Sequence, residues 1–103
     1  MEKGKVLIIS TEHIKPETSA FLHRNTEKFF TEMFRFSLHE FGIIFFIRDL
    51  DKDEREEMQL FLNRKDMLDL LPIFEHAMKK GYSLINFDRD GMTTKKFPTY
   101  TWG

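Results

Sequence analysis

Residues 43–47 read IIFFI, five apolar side chains without a break. In a β-strand successive side chains face opposite sides of the sheet, so such a run presents an apolar surface on both faces. That is the pattern of a central strand, and it predicts one here. Residues 6–9, VLII, have the same character and predict another. Just before the first run, Phe34, Phe36 and Leu38 alternate with Arg35, Ser37 and His39, the period of a strand with one wet face. Gly42 supplies a turn between them, so residues 34–47 read as a hairpin. Residues 84–87, LINF, predict a fourth strand.

The segments between the strands read as helices. Pro16 suits a first helical position and Glu17 the positive end of the helix dipole. Phe21, Leu22, Phe29 and Phe30 then form a stripe consistent with one helix. Segment 49–57, DLDKDEREE, holds six acids and two bases; it is a solvated loop or the start of a helix carrying Met58, Phe61 and Leu62. Asn63 is placed to cap a further helical piece, in which Met67, Leu71, Phe74 and Met78 recur at helical spacing. Pro72 kinks that piece or moves its start towards Asp69. Lys79 and Lys80 suit its negative end and Gly81 its stop.

The order is therefore β-α-β-β-α-β in a single α+β domain spanning 1–103, with a core over 1–91 and an aromatic tail over 92–103. Such an order predicts the ferredoxin-like arrangement, a four-stranded antiparallel sheet with the helices on one face. The two strands with unbroken apolar runs, the first and the third, would be central. The alternating second strand would lie at an edge.

Composition narrows the chemistry. Sixteen Lys and Arg against seventeen Asp and Glu give a formal net charge of −1, so direct nucleic-acid binding through phosphate neutralisation is not expected. The chain has no cysteine, which removes disulfides, thiol nucleophiles and thiolate metal sites. No apolar segment approaches the roughly 18–20 residues of a membrane span, and the expectation is a cytoplasmic protein without a membrane role. His23, His39 and His76 have no metalloprotease spacing, no serine sits in a nucleophile elbow, and no glycine-rich loop is present to cradle phosphate. No cofactor is expected.

Three features remain as site candidates. The first is Asp88-Arg89-Asp90-Gly91 after the last strand. Two carboxylates two residues apart share a face and suit a divalent cation, whereas Asp90-Gly91 also reads as a turn, with Arg89 between the acids opposing a metal. In the antiparallel scheme the end of the first strand, with Glu12 and His13, lies beside Tyr82 and Ser83, away from Asp88. Were the two strands parallel, Glu12, His13, Asp88 and Asp90 would converge at the carboxyl edge of the sheet. The second is the acidic segment. Its Asp49-x-Asp51-x-Asp53 spacing fails as a calcium loop, because Glu54 stands where Gly is needed and Leu60 where Glu is needed. Asp51, Asp53, Glu56 and Glu57 are instead candidates for contact with a partner. The third is the tail, whose Phe97, Tyr100 and Trp102 are aromatic anchors for the domain itself or for a partner.

Ser10-Thr11-x-His13-Ile14 after the first strand, Phe41-Gly42 ahead of FFIR, and Asp88-Arg89-Asp90-Gly91 followed by Pro98-Thr99-Tyr100-x-Trp102 together resemble a family of small domains of unknown function. The family is carried on prophages, plasmids and other mobile elements of bacteria, near antirestriction and toxin–antitoxin genes. This chain departs from it at Glu12 and in the acidic segment 49–57. The resemblance implies a setting rather than an activity, and it carries no catalytic residue with it. The expected function is a non-enzymatic module that binds a host protein or nucleoprotein, as an inhibitor in counter-defence does, with a homodimer possible through strand pairing. The alternative is a small Mg²⁺- or Mn²⁺-dependent hydrolase of phosphodiesters built on Asp88 and Asp90, helped by Glu12 or His13.

Overall fold

The computed structural model describes residues 5–24, 35–47 and 50–101. The expected run of the first helix through Phe29 and Phe30, the strand residue Phe34, Asp49 and Trp102 lie outside these described residues. The elements are β1 (Lys5–Ser10), a 3₁₀ turn (Thr11–His13), α1 (Pro16–Arg24), β2 (Arg35–His39), β3 (Gly42–Phe46), α2 (Lys52–Arg64), α3 (Leu71–Lys80) and β4 (Tyr82–Asp88). The chain is an α+β domain with a four-stranded sheet, as its periodicities predict.

The strand order corrects the antiparallel expectation. It is β1-β4-β3-β2, so β4 is central and β1 lies at an edge. β1 runs parallel to β4, with Val6 opposite Leu84 and Ser10 opposite Asp88, while the β4–β3 and β3–β2 pairs are antiparallel. The sheet is thus mixed, and its order is not the ferredoxin-like one. The end of β1 lies beside Asp88, not beside Tyr82 and Ser83.

The two faces of the sheet are covered unequally. Ile9, Ile43, Phe45, Ile85 and Phe87 point to one side and share a core with Leu22, Met58, Leu62, Ile73, Phe74 and Ala77 of the helices. Phe45 is its hub, with Phe74 and Phe87 edge-on at centroid distances of 5.0 and 5.9 Å; each such pair adds about 0.5–1.5 kcal/mol beyond simple burial. On the opposite face alternation and register place Val6, Ile8, Leu84, Ile44 and Phe46. There Val6 is 46% exposed, Ile8 56% and Phe46 46%. The unbroken apolar run of β1 therefore reflects an open apolar face and not a position between two strands.

Local capping explains the helices. Asp51 accepts from the Glu54 amide at 2.8 Å while the Glu54 carboxylate takes the Asp51 amide, a capping box that starts α2. The acidic segment is thus a helix start, and Asn63 falls inside the last turn of α2 instead of capping the next helix. α3 begins at Leu71 with Pro72 in its first turn, and ends on Gly81 at φ 79°. Between α2 and α3, buried Asp69 accepts from the Lys15 amide at 2.8 Å and from the Thr18 hydroxyl at 3.0 Å. It satisfies the amino end of α1 from across the fold, where a carboxylate is favoured by the dipole.

Candidate functional site

Parallel pairing of β1 and β4 delivers their carboxyl ends to one edge, and there the chain closes on itself. Asp88 Oδ1 accepts from the Asp90 amide at 2.8 Å and the Asp88 carbonyl accepts from the Gly91 amide at 2.8 Å. Asp88-Arg89-Asp90-Gly91 is thereby a turn, built as the Asp and Gly chemistry predicts. A Cβ on Gly91 would come within 2.7 Å of the Ile9 carbonyl carbon, so glycine lets the turn lie against β1. The Ser10 amide then donates to the Met92 carbonyl at 3.1 Å. The Arg89 guanidinium lies 5.1 Å from the ring centroid of Phe41.

His13 anchors the tail beyond this turn. It is fully buried. The Thr94 amide donates to the lone pair of its Nε2 at 2.9 Å, so the ring proton sits on Nδ1. Nδ1 donates to the Pro98 carbonyl at 2.9 Å. One neutral imidazole therefore ties two points of the tail, and the Tyr100 amide adds a third tie to the Glu12 carbonyl at 2.8 Å. Between these ties Phe97, only 7% exposed, has its ring edge-on to His13 at 5.8 Å and to His76 at 5.5 Å. The tail packs on its own domain, and Phe97 is a core residue. Tyr100 is half-buried.

Glu12, His13, Asp88 and Asp90 are thus brought to one edge, as parallel strands require. Both His13 nitrogens are engaged by the tail, one oxygen of Asp88 holds the turn, and among the described residues no group of three His, Asp or Glu side chains could hold a metal ion. His39 is likewise structural: the Phe41 amide donates to its Nδ1 at 3.1 Å and its Nε2–H donates to Asn86 Oδ1 at 2.9 Å, pinning the hairpin turn to β4.

His76 carries a protonation signature. Burial, and then the positive charges of Lys96, Lys80 and Lys79, lower its pKa from the usual 6.5. A base with a lowered folded pKa favours the fold when neutral. Its contribution is complete above pH 6.5 and is lost as pH falls from there through the lowered folded value. Urea midpoints measured across that window should fall with acid, and His76→Gln should flatten the part of the slope due to this side chain.

The acidic candidates belong to α2. Asp51 is spent on the cap. Asp53, Glu56 and Glu57 are exposed, and helical spacing puts them on one stripe with Leu60 and Arg64. Leu60 is 66% exposed and Leu68, from the following connection, 44%. Together with Glu56, Gln59 and Asn63 they line a shallow groove of about 440 Å³. Composition and motif spacing do not single out Leu60 and Leu68. The available signal is helical phase, since Leu60 stands three residues after Glu57 on the acidic stripe and outside the buried Met58–Leu62 face.

Comparison with known proteins settles the family. A family model described as the C-terminal domain of a family of unknown function, DUF5983, matches residues 6–102. The chain belongs to the DUF5983 family. The match spans nearly all of β1, both ends of the turn and nearly the whole tail, so the tail is part of the DUF5983 domain and not an appendage to it. No curated protein and no solved structure matches the chain. Among the described residues, no helix is long and apolar enough to cross a membrane.

Proposed function

We propose that this DUF5983 domain is a non-enzymatic protein-binding module, an accessory factor of a phage or other mobile element that acts by occupying a surface of a host protein or nucleoprotein. The observation that carries the reading is the outer stripe of α2. An exposed leucine there is set among three exposed carboxylates and opens onto a groove shared with Leu68. An apolar anchor with a charged rim is the anatomy of a protein contact, and this one fits a basic partner segment that offers an apolar side chain. The internal docking of the tail moves the expected contact away from Phe97 and onto Asp53, Glu56, Glu57 and Leu60.

The hydrolase reading has one observation in its favour, the convergence of Glu12, Asp88 and Asp90 at the sheet edge. It is the weaker reading, because His13 has no nitrogen left for proton transfer and Asp88 is engaged in its own turn.

The test is affinity capture from a bacterial host extract, comparing the native domain with Glu56→Lys/Glu57→Lys/Leu60→Asp, whose positions lie outside the core. A captured protein lost with the variant, at unchanged circular dichroism and Tm, supports the proposal. An identical set of captured proteins for both forms refutes it.

A further inference from the structure

We propose that β1 is a homodimerisation edge, pairing antiparallel with β1 of a second copy about a two-fold axis at Leu7. β1 is the outer strand of the sheet, and only one of its sides is used by β4. The Ser10 amide points away from β4, since it donates to the Met92 carbonyl, while the Lys5 carbonyl points towards β4 and accepts from the Ser83 hydroxyl at 3.3 Å. Backbone groups alternate sides along a strand. The N–H and C=O groups of Val6 and Ile8 therefore face outward with Ser10, and among the described residues no turn, loop or side-chain hydrogen bond uses them.

Exposed edges of this kind template strand addition, and proteins usually blunt them with charge, proline or a covering element. The opposite edge, β2, is blunted in this way, its sequence RFSLH placing Arg35, Ser37 and His39 on the open face. β1 has no such device over residues 6–8. It is Val-Leu-Ile, with Val6 and Ile8 both exposed.

The occupant is decided by self-complementarity. With the axis at Leu7, Val6 of one copy stands opposite Ile8 of the other. Each such pair exchanges both backbone hydrogen bonds, and the symmetry repeats the exchange on the other side of the axis. β-branched side chains then face one another on the open side, Lys5 stands opposite Ile9, and no like charges meet. The product is a continuous eight-stranded sheet. The Met92 carbonyl already occupies the Ser10 amide, so the pairing is limited to the residues on either side of Leu7 and the register is fixed. This surface is separate from the α2 stripe, so the dimer and the partner contact stand or fall independently.

Two measurements test it on the full chain. Sedimentation at about 100 μM should give twice the 12.4 kDa protomer mass. Ile8→Lys places a charge on the edge while leaving the β4 ladder intact, and should return the protomer mass with unchanged circular dichroism. Because the chain has no cysteine of its own, Leu7→Cys provides a register-specific trap. Non-hydrogen-bonded pairs bring Cα atoms to about 4.5 Å, within disulfide reach, so mild oxidation should cross-link Leu7→Cys and leave Ile8→Cys uncross-linked. A native chain that sediments as a protomer, a dimer that survives Ile8→Lys, or equal cross-linking of the two cysteine variants would each overturn the proposal.

Discussion

Gly42→Ala is expected to destabilise the domain by about 3 kcal/mol, at the upper end of ordinary overpacking, and to lower Tm by roughly 12–24 °C for a chain of this size. Gly42 opens β3 opposite both His39 and Asp88, in the middle of the sheet. A Cβ there would overlap the carbonyl oxygen of Phe87, a backbone atom of the central strand that has no rotamer to change. Relief requires β3 to move away from β4, which disturbs the Ile43–Phe87 pair and the Phe45–Phe87 contact behind it. Thermal unfolding by circular dichroism measures the effect. A loss under about 1 kcal/mol, the range of a tolerated swap, would mean that β3 and β4 do not approach here as closely as the register implies. Gly81→Ala is the informative comparison: nothing lies within 4 Å of its Cβ, and its cost comes from φ 79° alone.

His13→Ala is expected to cost about 2–4 kcal/mol, from the lost buried ring and the two backbone groups it leaves unpaired, the Thr94 amide and the Pro98 carbonyl. The loss is local in the first instance. With both ties gone, the segment between Met92 and Tyr100 keeps only the packing of Phe97 and the Tyr100–Glu12 bond, and the tail opens before the sheet does. Tryptic cleavage after Lys95 and Lys96 should therefore accelerate in His13→Ala at temperatures where the sheet remains folded. His13→Phe restores volume without hydrogen bonds and should rescue only part of the stability. Full rescue by phenylalanine would show that the ring acts as bulk and that the two ties are incidental.

The sequence marks His13 and the tail as features but does not join them. A histidine after a strand and an aromatic segment 85 positions later have no spacing that relates them. What joins them is the parallel β1–β4 pairing, which sets Ser10 beside Asp88 and so starts the tail next to the 3₁₀ turn. Asp69 is a similar case. Its bond to the Lys15 amide crosses 54 positions, and locally it is just an acid ahead of a Leu-Leu-Pro helix start. By contrast the Asp88–Gly91 turn, the hairpin at Gly42 and the stop at Gly81 are legible, because each is decided within a few residues.

Periodicity, capping and turn chemistry in this sequence determine four strands, their separating helices and which side chains share a face. These are local consequences of backbone geometry and of side chains that satisfy nearby amides. The neighbours of each strand were decided only in the tertiary structure. Residues 6–9 carry as unbroken an apolar run as residues 43–46, yet one lies at the edge and the other inside the sheet. Alternation reports how apolar a face is, and it says nothing of whether a strand or solvent lies beyond the backbone edge. That choice is made by backbone pairing between residues far apart in the chain, such as Ser10 with Asp88, which no local pattern encodes.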